Sequence, residues 1–305
     1  NAGKEREAGM AGSEATTGPG IRLVRAANPS PLTGEGTNTW LIGEGRVTVI
    51  DPGPARPDHL AAILAALAPG ERIERILVTH AHLDHSALSR PLAEAAGAPV
   101  LAFGRAEDGR SPVMQALLAD GFTGGGEGAD TGFAPDERIG DGDRLDLPAH
   151  GVALEVLHTP GHMGGHLAFA LGDVLFSGDH VMDWSTTLVS PPDGDMAAYM
   201  ASLARLSARR WSGFLPGHGE AVADPASRLA ALTRHRLQRE AQILSALQER
   251  PDTATGLAAR IYTDTPTALL AAAARNVLSH LIDLASRNRI SAEARPSLTT
   301  RYHPV

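Results

Sequence analysis

The feature that most restricts what this chain can fold into is His80-Ala81-His82-Leu83-Asp84-His85. It follows the run 75–79, whose Ile76, Leu77 and Val78 read as a buried strand that stops where the histidines begin. Four side chains with lone pairs suited to a divalent cation therefore stand at one strand end. In extended backbone His80 and His82 face the same side, while Asp84 and His85 fall in the turn or the first helical residues and can converge from another direction. Taken alone, the motif also fits a polar strand-to-helix turn in which Asp84 caps a helix starting at His85.

Three later loops repeat the pattern. Thr159-Pro160-Gly161-His162 follows a strand-like run at 153–157, Phe176-Ser177-Gly178-Asp179-His180 follows Val174 and Leu175, and Leu215-Pro216-Gly217-His218-Gly219 follows 211–214. Each sets a His or Asp after a short apolar run, beside a glycine that tolerates unusual backbone angles.

In type, order and rough spacing, His80, His82, Asp84, His85, His162, Asp179 and His218 resemble the metal ligands of the metallo-β-lactamase-fold hydrolases, over about residues 21–224. The resemblance implies a four-layer αββα sandwich in which His80, His82 and His162 hold one metal, Asp84, His85 and His218 the second, and Asp179 bridges both. It implies two divalent ions, zinc first and iron or manganese as alternatives, sharing a hydroxide that attacks an electrophile. Asp51, in the turn Asp51-Pro52-Gly53, would lie beneath the metals, although an Asp stabilising a turn is an equal reading.

The whole chain narrows the chemistry further. There is no cysteine among the 305 residues, so thiolate sites, disulfides and a cysteine nucleophile are excluded, and any metal must be held by His, Asp or Glu. A net charge of −8 gives no general affinity for nucleic acid, yet residues 225–305 carry eleven Arg against six Asp and Glu. No apolar run reaches the ~18–20 residues of a membrane helix, and the first twenty residues lack the apolar core of a signal peptide; the expected compartment is the cytoplasm. Oligomeric state has no signature here.

Read in order, residues 1–20 are a charged, glycine-rich arm expected to be mobile. Short strands are predicted at 21–24, 39–42 and 47–50, with Asn38 as a backbone-bonding residue before the second. A helix is predicted at 58–67 and another from the ligand motif to about Ala96, kinked at Pro91. The segment 104–143 is irregular apart from a short helix at 112–118 and is a candidate lid. Strands at 152–157, 166–171 and 174–176 lead to the later loops. His166 is expected to support the site rather than bind metal, and His180, next to Asp179, is a candidate proton donor to a leaving group, with Asp84 a candidate proton acceptor as well as a ligand. Helix 196–206 follows.

From Pro225 the character changes to a long helix carrying Arg228, Arg234, Arg236 and Arg239, a helix opening at Thr265-Pro266, and a hairpin pairing 289–294 with 298–302. This outline is a winged-helix-like domain at 225–305, similar to the C-terminal part of the lactamase-beta-2-like branch, some of whose members are endoribonucleases. Three functions follow: a binuclear hydrolase of a phosphodiester such as single-stranded RNA, its arginines holding phosphates; a thioester or lactone hydrolase of the glyoxalase II kind; and a metal-bearing regulator binding DNA through the winged helix.

Overall fold

A computed structural model describes residues 20–122, 126, 128–147 and 151–305; the expected arm at 1–20 lies outside these apart from Gly20. The first sheet begins with β1 (Ile21–Arg25), β2 (Asn38–Ile42) and β3 (Arg46–Ile50), antiparallel neighbours. Helix α1 (Pro57–Ala65) then crosses to β4 (Arg72–Leu77), and α2 (Leu83–Ser86) with α3 (Ser89–Ala96) crosses to β5 (Val100–Ala102). After α4 (Pro112–Ala119) comes the edge strand β6 (Glu137–Arg138). From β3 onward the pairs are parallel, which is why helices must intervene between the strands.

The second sheet, in the order β11-β10-β9-β8-β7, takes β7 (Arg144–Leu147), β8 (Val152–His158), β9 (Leu167–Leu171), β10 (Val174–Gly178) and, beyond α5 (Met196–Ser207), β11 (Gly213–Pro216). Side-chain alternation sorts the residues into layers. Trp40, Ile42, Ile50 and Leu77 point between the sheets to meet Val156, Phe169 and Phe176. Leu41, Val49 and Ile76 point the other way, onto Ile63 of α1 and Leu92 of α3. The outer face of the second sheet packs Ala168 and Leu175 against Tyr199 and Leu203 of α5. Helix, sheet, sheet, helix is the expected four-layer order.

The C-terminal unit holds α6 (Pro225–Glu249), β12 (Asp252–Thr253), α7 (Ala254–Ile261), α8 (Leu270–Ser286), β13 (Ile290–Ala292) and β14 (Arg301–Pro304), with the strands ordered β12-β14-β13. Leu257, Val277, Leu281 and Tyr302 form its core, which Met114 and Leu117 of α4 join. Helix α6 serves both cores: Leu229 and Leu232 pack on the second sheet, Ile243 and Leu247 in the C-terminal unit. Among the described residues no helix is long and apolar enough to cross a membrane.

Local readings need three corrections. Pro91 is the third residue of α3, where its missing N–H has no intrahelical partner to lose, so it starts the helix rather than kinking it. Thr265 does not cap α8; a 3-10 turn at Thr267–Leu269 intervenes, and its cap residue is Pro266. The hairpin's second arm begins at Arg301 because Ser297 Oγ accepts from the N–H groups of Thr299 and Thr300, at 3.2 and 2.9 Å, turning that stretch.

Candidate metal centre

The ligand loops meet because β3, β4, β10 and β11 all deliver their C-terminal ends to one edge of the sandwich. Asp51, after β3, adopts a φ of 51°, unusual for a residue with a side chain. Its carboxylate accepts from Thr79 N (2.7 Å), Thr79 Oγ1 (2.8 Å) and His85 Nδ1 (2.9 Å), so these bonds hold it beneath the candidate centre and go to Thr79 and His85 rather than to the expected turn at 51–53. Gly217 permits the closest approach, since a Cβ there would stand 2.6 Å from Asp179 Oδ1.

Two triads face each other across Asp179. In the first, His80 Nε2 and His162 Nε2 lie 2.9 and 3.0 Å from His82 Nδ1. The remaining nitrogens of two of these rings have acceptors outside: His80 Nδ1–H donates to Thr79 Oγ1 (3.0 Å) and His162 Nδ1–H to the Leu188 carbonyl (2.7 Å). In the second, His85 Nε2 and His218 Nε2 are 3.2 Å apart, and Asp84 Oδ2 is 3.2 Å from His218 Nε2. Here too the outward nitrogens are held, His85 by Asp51 and His218 by the Gly36 carbonyl at 3.1 Å. Asp179 reaches both sides, with Oδ1 at 3.4 Å from His85 Nε2 and Oδ2 at 3.4 Å from His218 and 3.8 Å from His162.

This donor set fits divalent cations. A proton on His82 Nδ1 can fill only one of the two short gaps beside it, whereas a cation with ligand distances of ~2.0–2.1 Å satisfies all three nitrogens together. Among the described residues Asp179 Oδ1, buried, has no hydrogen-bond partner. Outward bonds that fix the tautomer of four of the five rings are the support that metal-binding imidazoles require. Electrostatics divides the halves. Burial and the neighbouring imidazoles hold His80 well below its ordinary pKa and lower His82 to about 3, leaving neutral lone pairs. Burial opposes charge on His85 and His218 as well, but Asp179 and Asp84 outweigh it, raising His85 well above the ordinary value and His218 to about 9. The acidic half draws in positive charge.

Around the seven side chains stands a supporting layer. His166 accepts from Asp179 N at 3.2 Å and donates Nδ1–H to Thr159 Oγ1 at 2.9 Å, so both of its ring nitrogens are engaged in orienting Asp179 and its loop. Asn38 Nδ2 donates to the carbonyls of Pro216 and Gly219, pinning the His218 loop. His180 has to be corrected. Its ring is fully buried against Tyr199, neither nitrogen has a partner among the described residues, and it is not among the residues that line the pocket; burial lowers its pKa to about 3, so the ring is neutral and its one N–H is not placed to reach a leaving group there.

A cavity of about 150 Å3 opens over the ligands, walled by Leu32, Thr33, Met182, Ser185, Thr186 and Leu188, with Gly128 at its side. The candidate lid is tied down here: the Gly128 carbonyl accepts from Leu83 N at 2.8 Å and Asp130 N donates to the Ala81 carbonyl at 2.8 Å. Residues 123–125 and 127 of that segment lie outside the described ones. Sequence reasoning misses Thr79 and Thr187. Thr79 adjoins His80 and is within reach of it; Thr187, in a loop without pattern, is not.

Residues 32–218 match the Metallo-beta-lactamase superfamily and 253–297 the Beta-lactamase associated winged helix domain. The Beta-lactamase-like protein 2 homolog of Drosophila melanogaster is 31% identical, over 88% of this chain and 89% of that one. The Atrochrysone carboxyl ACP thioesterase of Aspergillus chevalieri is 30% identical, over 76% and 67%. A metallo-beta-lactamase family protein of Thermus thermophilus superposes with a TM-score of 0.74 at 26% identity, over 94% of this chain and 99% of that one. In fold alone, a beta-lactamase domain protein from Burkholderia ambifaria is also similar (TM-score 0.77, 23% identity, 95% and 93% covered). From the first sheet to the wing, this chain belongs to the metallo-beta-lactamase superfamily and carries its associated winged helix domain.

Proposed function

We propose that the protein is a binuclear metal-dependent hydrolase of an acyl thioester or ester, with zinc the first candidate metal. His80, His82 and His162 would hold one ion, Asp84, His85 and His218 the other, and Asp179 would offer an oxygen to each. Bound cations would supply Lewis acidity and bring the pKa of water from 15.7 toward ~7. Asp84 lines the cavity and its side chain is 29% exposed, so it can accept the proton of an attacking water. Leu32, Met182 and Leu188 would seat an apolar acyl group beside the reacting carbon.

The observation that carries the reading is the wall itself: among the described residues that line it there is no Arg or Lys. A phosphodiester backbone calls for cationic contacts, which an acyl group does not. Of the four α6 arginines, Arg234 is exposed and the other three are turned inward. Arg236 is 1% exposed and bonded to the Thr187 carbonyl, Arg228 donates to the carbonyls of Met182 and Ser185, and Arg239 lies over the Tyr262 ring at 3.7 Å. Relatives named as acyl-carrier thioesterases favour the same bond. The test is a turnover panel of acyl thioesters, esters and labelled single-stranded RNA, run with metal analysis at several salt concentrations. Thioester or ester hydrolysis that chelator abolishes and salt hardly changes is expected. Cleavage of RNA alone, falling steeply with salt, would replace this reading with the phosphodiesterase one, and duplex-DNA binding without turnover would replace it with the regulator.

A further inference from the structure

The wall segment 187–189 is held from both sides. On its inner side, Thr187 Oγ1 donates to the carbonyls of Asp179 (2.6 Å) and His180 (3.0 Å), and the Leu188 carbonyl takes the Nδ1 proton of His162 at 2.7 Å. One side chain and one carbonyl thus fix the backbone of the bridging carboxylate and the tautomer of a triad histidine. On its outer side the segment touches the C-terminal unit. Arg236 of α6 donates through Nη2 to the Thr187 carbonyl and through Nη1 to Asn276 Oδ1 (3.3 Å), and that oxygen of α8 accepts from Val189 N at 3.0 Å. The Arg236 guanidinium also lies 5.0 Å over the Tyr199 ring, whose hydroxyl donates to the His180 carbonyl at 3.2 Å. Eight residues earlier on α6, Arg228 fixes the same loop at the Met182 and Ser185 carbonyls, both at 2.6 Å.

We infer that Arg236 and Asn276 are positioning residues for the metal centre, through which the winged helix unit sets the geometry of His162 and Asp179. The inference rests on the metal-centre reading above. Neither residue touches the ligands; both act through three consecutive residues whose opposite edge bonds to them. A buried guanidinium must keep its acceptors, because an unpaired charge in the interior is costly. The segment is therefore fixed as firmly as α6 itself, which is clamped by two cores. Outer partners of metal ligands commonly set affinity by 10–100-fold, and these lie one step further out, so a loss of about tenfold is expected.

The test measures metal uptake by the stripped full-length chain, using zinc against a chromophoric chelator, for wild type, Arg236→Gln, Asn276→Ala and Leu257→Ala. The last lies in the C-terminal core with no bond to the segment and reports what general loosening of that unit does. Arg236→Gln and Asn276→Ala should weaken zinc about tenfold and Leu257→Ala should leave it within about twofold of wild type, even where its melting temperature falls as far. Asn276→Asp, which keeps the acceptor for Val189 N and Arg236, should restore affinity; this arm remains decisive if Arg236→Gln does not fold. Wild-type affinity in Asn276→Ala, or an equal loss in Leu257→Ala, overturns the proposal. Wild-type protein that takes up no zinc overturns the metal centre and this inference together, an outcome distinct from an unchanged ratio between variants.

Discussion

Asp51→Asn changes one atom and should disable ligands in both triads. The carboxylate accepts three hydrogen bonds and donates none: Thr79 N–H at Oδ1, Thr79 O–H and His85 Nδ1–H at Oδ2. An asparagine tolerates the left-handed backbone but brings an NH2 group to one of these positions. If the NH2 faces Thr79 N–H, two donors oppose each other in a buried site, an unsatisfied pair worth ~1–3 kcal/mol. The other rotamer wins, because every bond can be remade by reversing it. The amide then donates to His85 Nδ1 and to Thr79 Oγ1, and the Thr79 hydroxyl turns to donate to His80 Nδ1. The proton of His80 moves to Nε2, and His85 is left with its one proton on Nε2, in each case the nitrogen that faces the triad. On His85 it points toward Asp179 Oδ1, 3.4 Å away, so the metal-free protein tolerates it. Cation binding must reverse both shifts against the amide. At 10–100-fold per outer partner lost, each triad should weaken by ~1.4–2.7 kcal/mol, while the stripped protein stays folded. Chelator competition resolves the affinities and thermal unfolding of the stripped protein controls for damage. Two zinc ions bound with wild-type affinity would refute the tautomer argument.

Three further outcomes are expected. Asp179→Ala and His82→Ala should each lose metal and abolish hydrolysis; full activity with metal retained would remove the proposed mechanism. Leu32→Asp places a charge on the apolar wall and should raise KM for acyl substrates while leaving metal content and kcat near wild type, which steady-state kinetics with metal analysis can check. His280 is buried with neither ring nitrogen bonded among the described residues, and burial followed by the nearby Arg236 and Arg239 lowers its pKa to about 3. Below the unfolded value of ~6.5 the unfolded chain binds a proton that the folded one refuses, so stability is complete above that pH and falls by up to ~1.4 kcal/mol per unit as pH drops toward the folded value. His280→Leu should flatten this acid limb in urea titrations, and parallel limbs in wild type and variant would contradict the assignment.

The seven candidate ligands are legible because each carries its chemistry in its own side chain and each follows a strand-like run, the later ones beside a glycine. Their support is only half legible. Asp51 declares itself through the turn Asp51-Pro52-Gly53, but the Leu188 and Gly36 carbonyls that hold His162 and His218 are backbone atoms, and any residue type would present them. The arginines of α6 are legible only in part, for a different reason. Composition counts charges without direction, and eleven arginines beside a winged helix suggest a phosphate-binding face. Helical spacing contains the correction. Leu229, Leu232, Arg236, Ile243 and Leu247 are the buried stripe of α6, and Arg236 falls on it one turn after Leu232. A guanidinium at that position cannot remain in water, so it requires carbonyl or carboxylate acceptors from another segment. The only open questions are which segment supplies them and what that segment also holds. Here it is 187–189, and its other edge bonds to His162 and to the Asp179 carbonyl. An arginine on an apolar helical stripe is thus a signal, readable before any coordinates, that a distant loop has its position set by that helix.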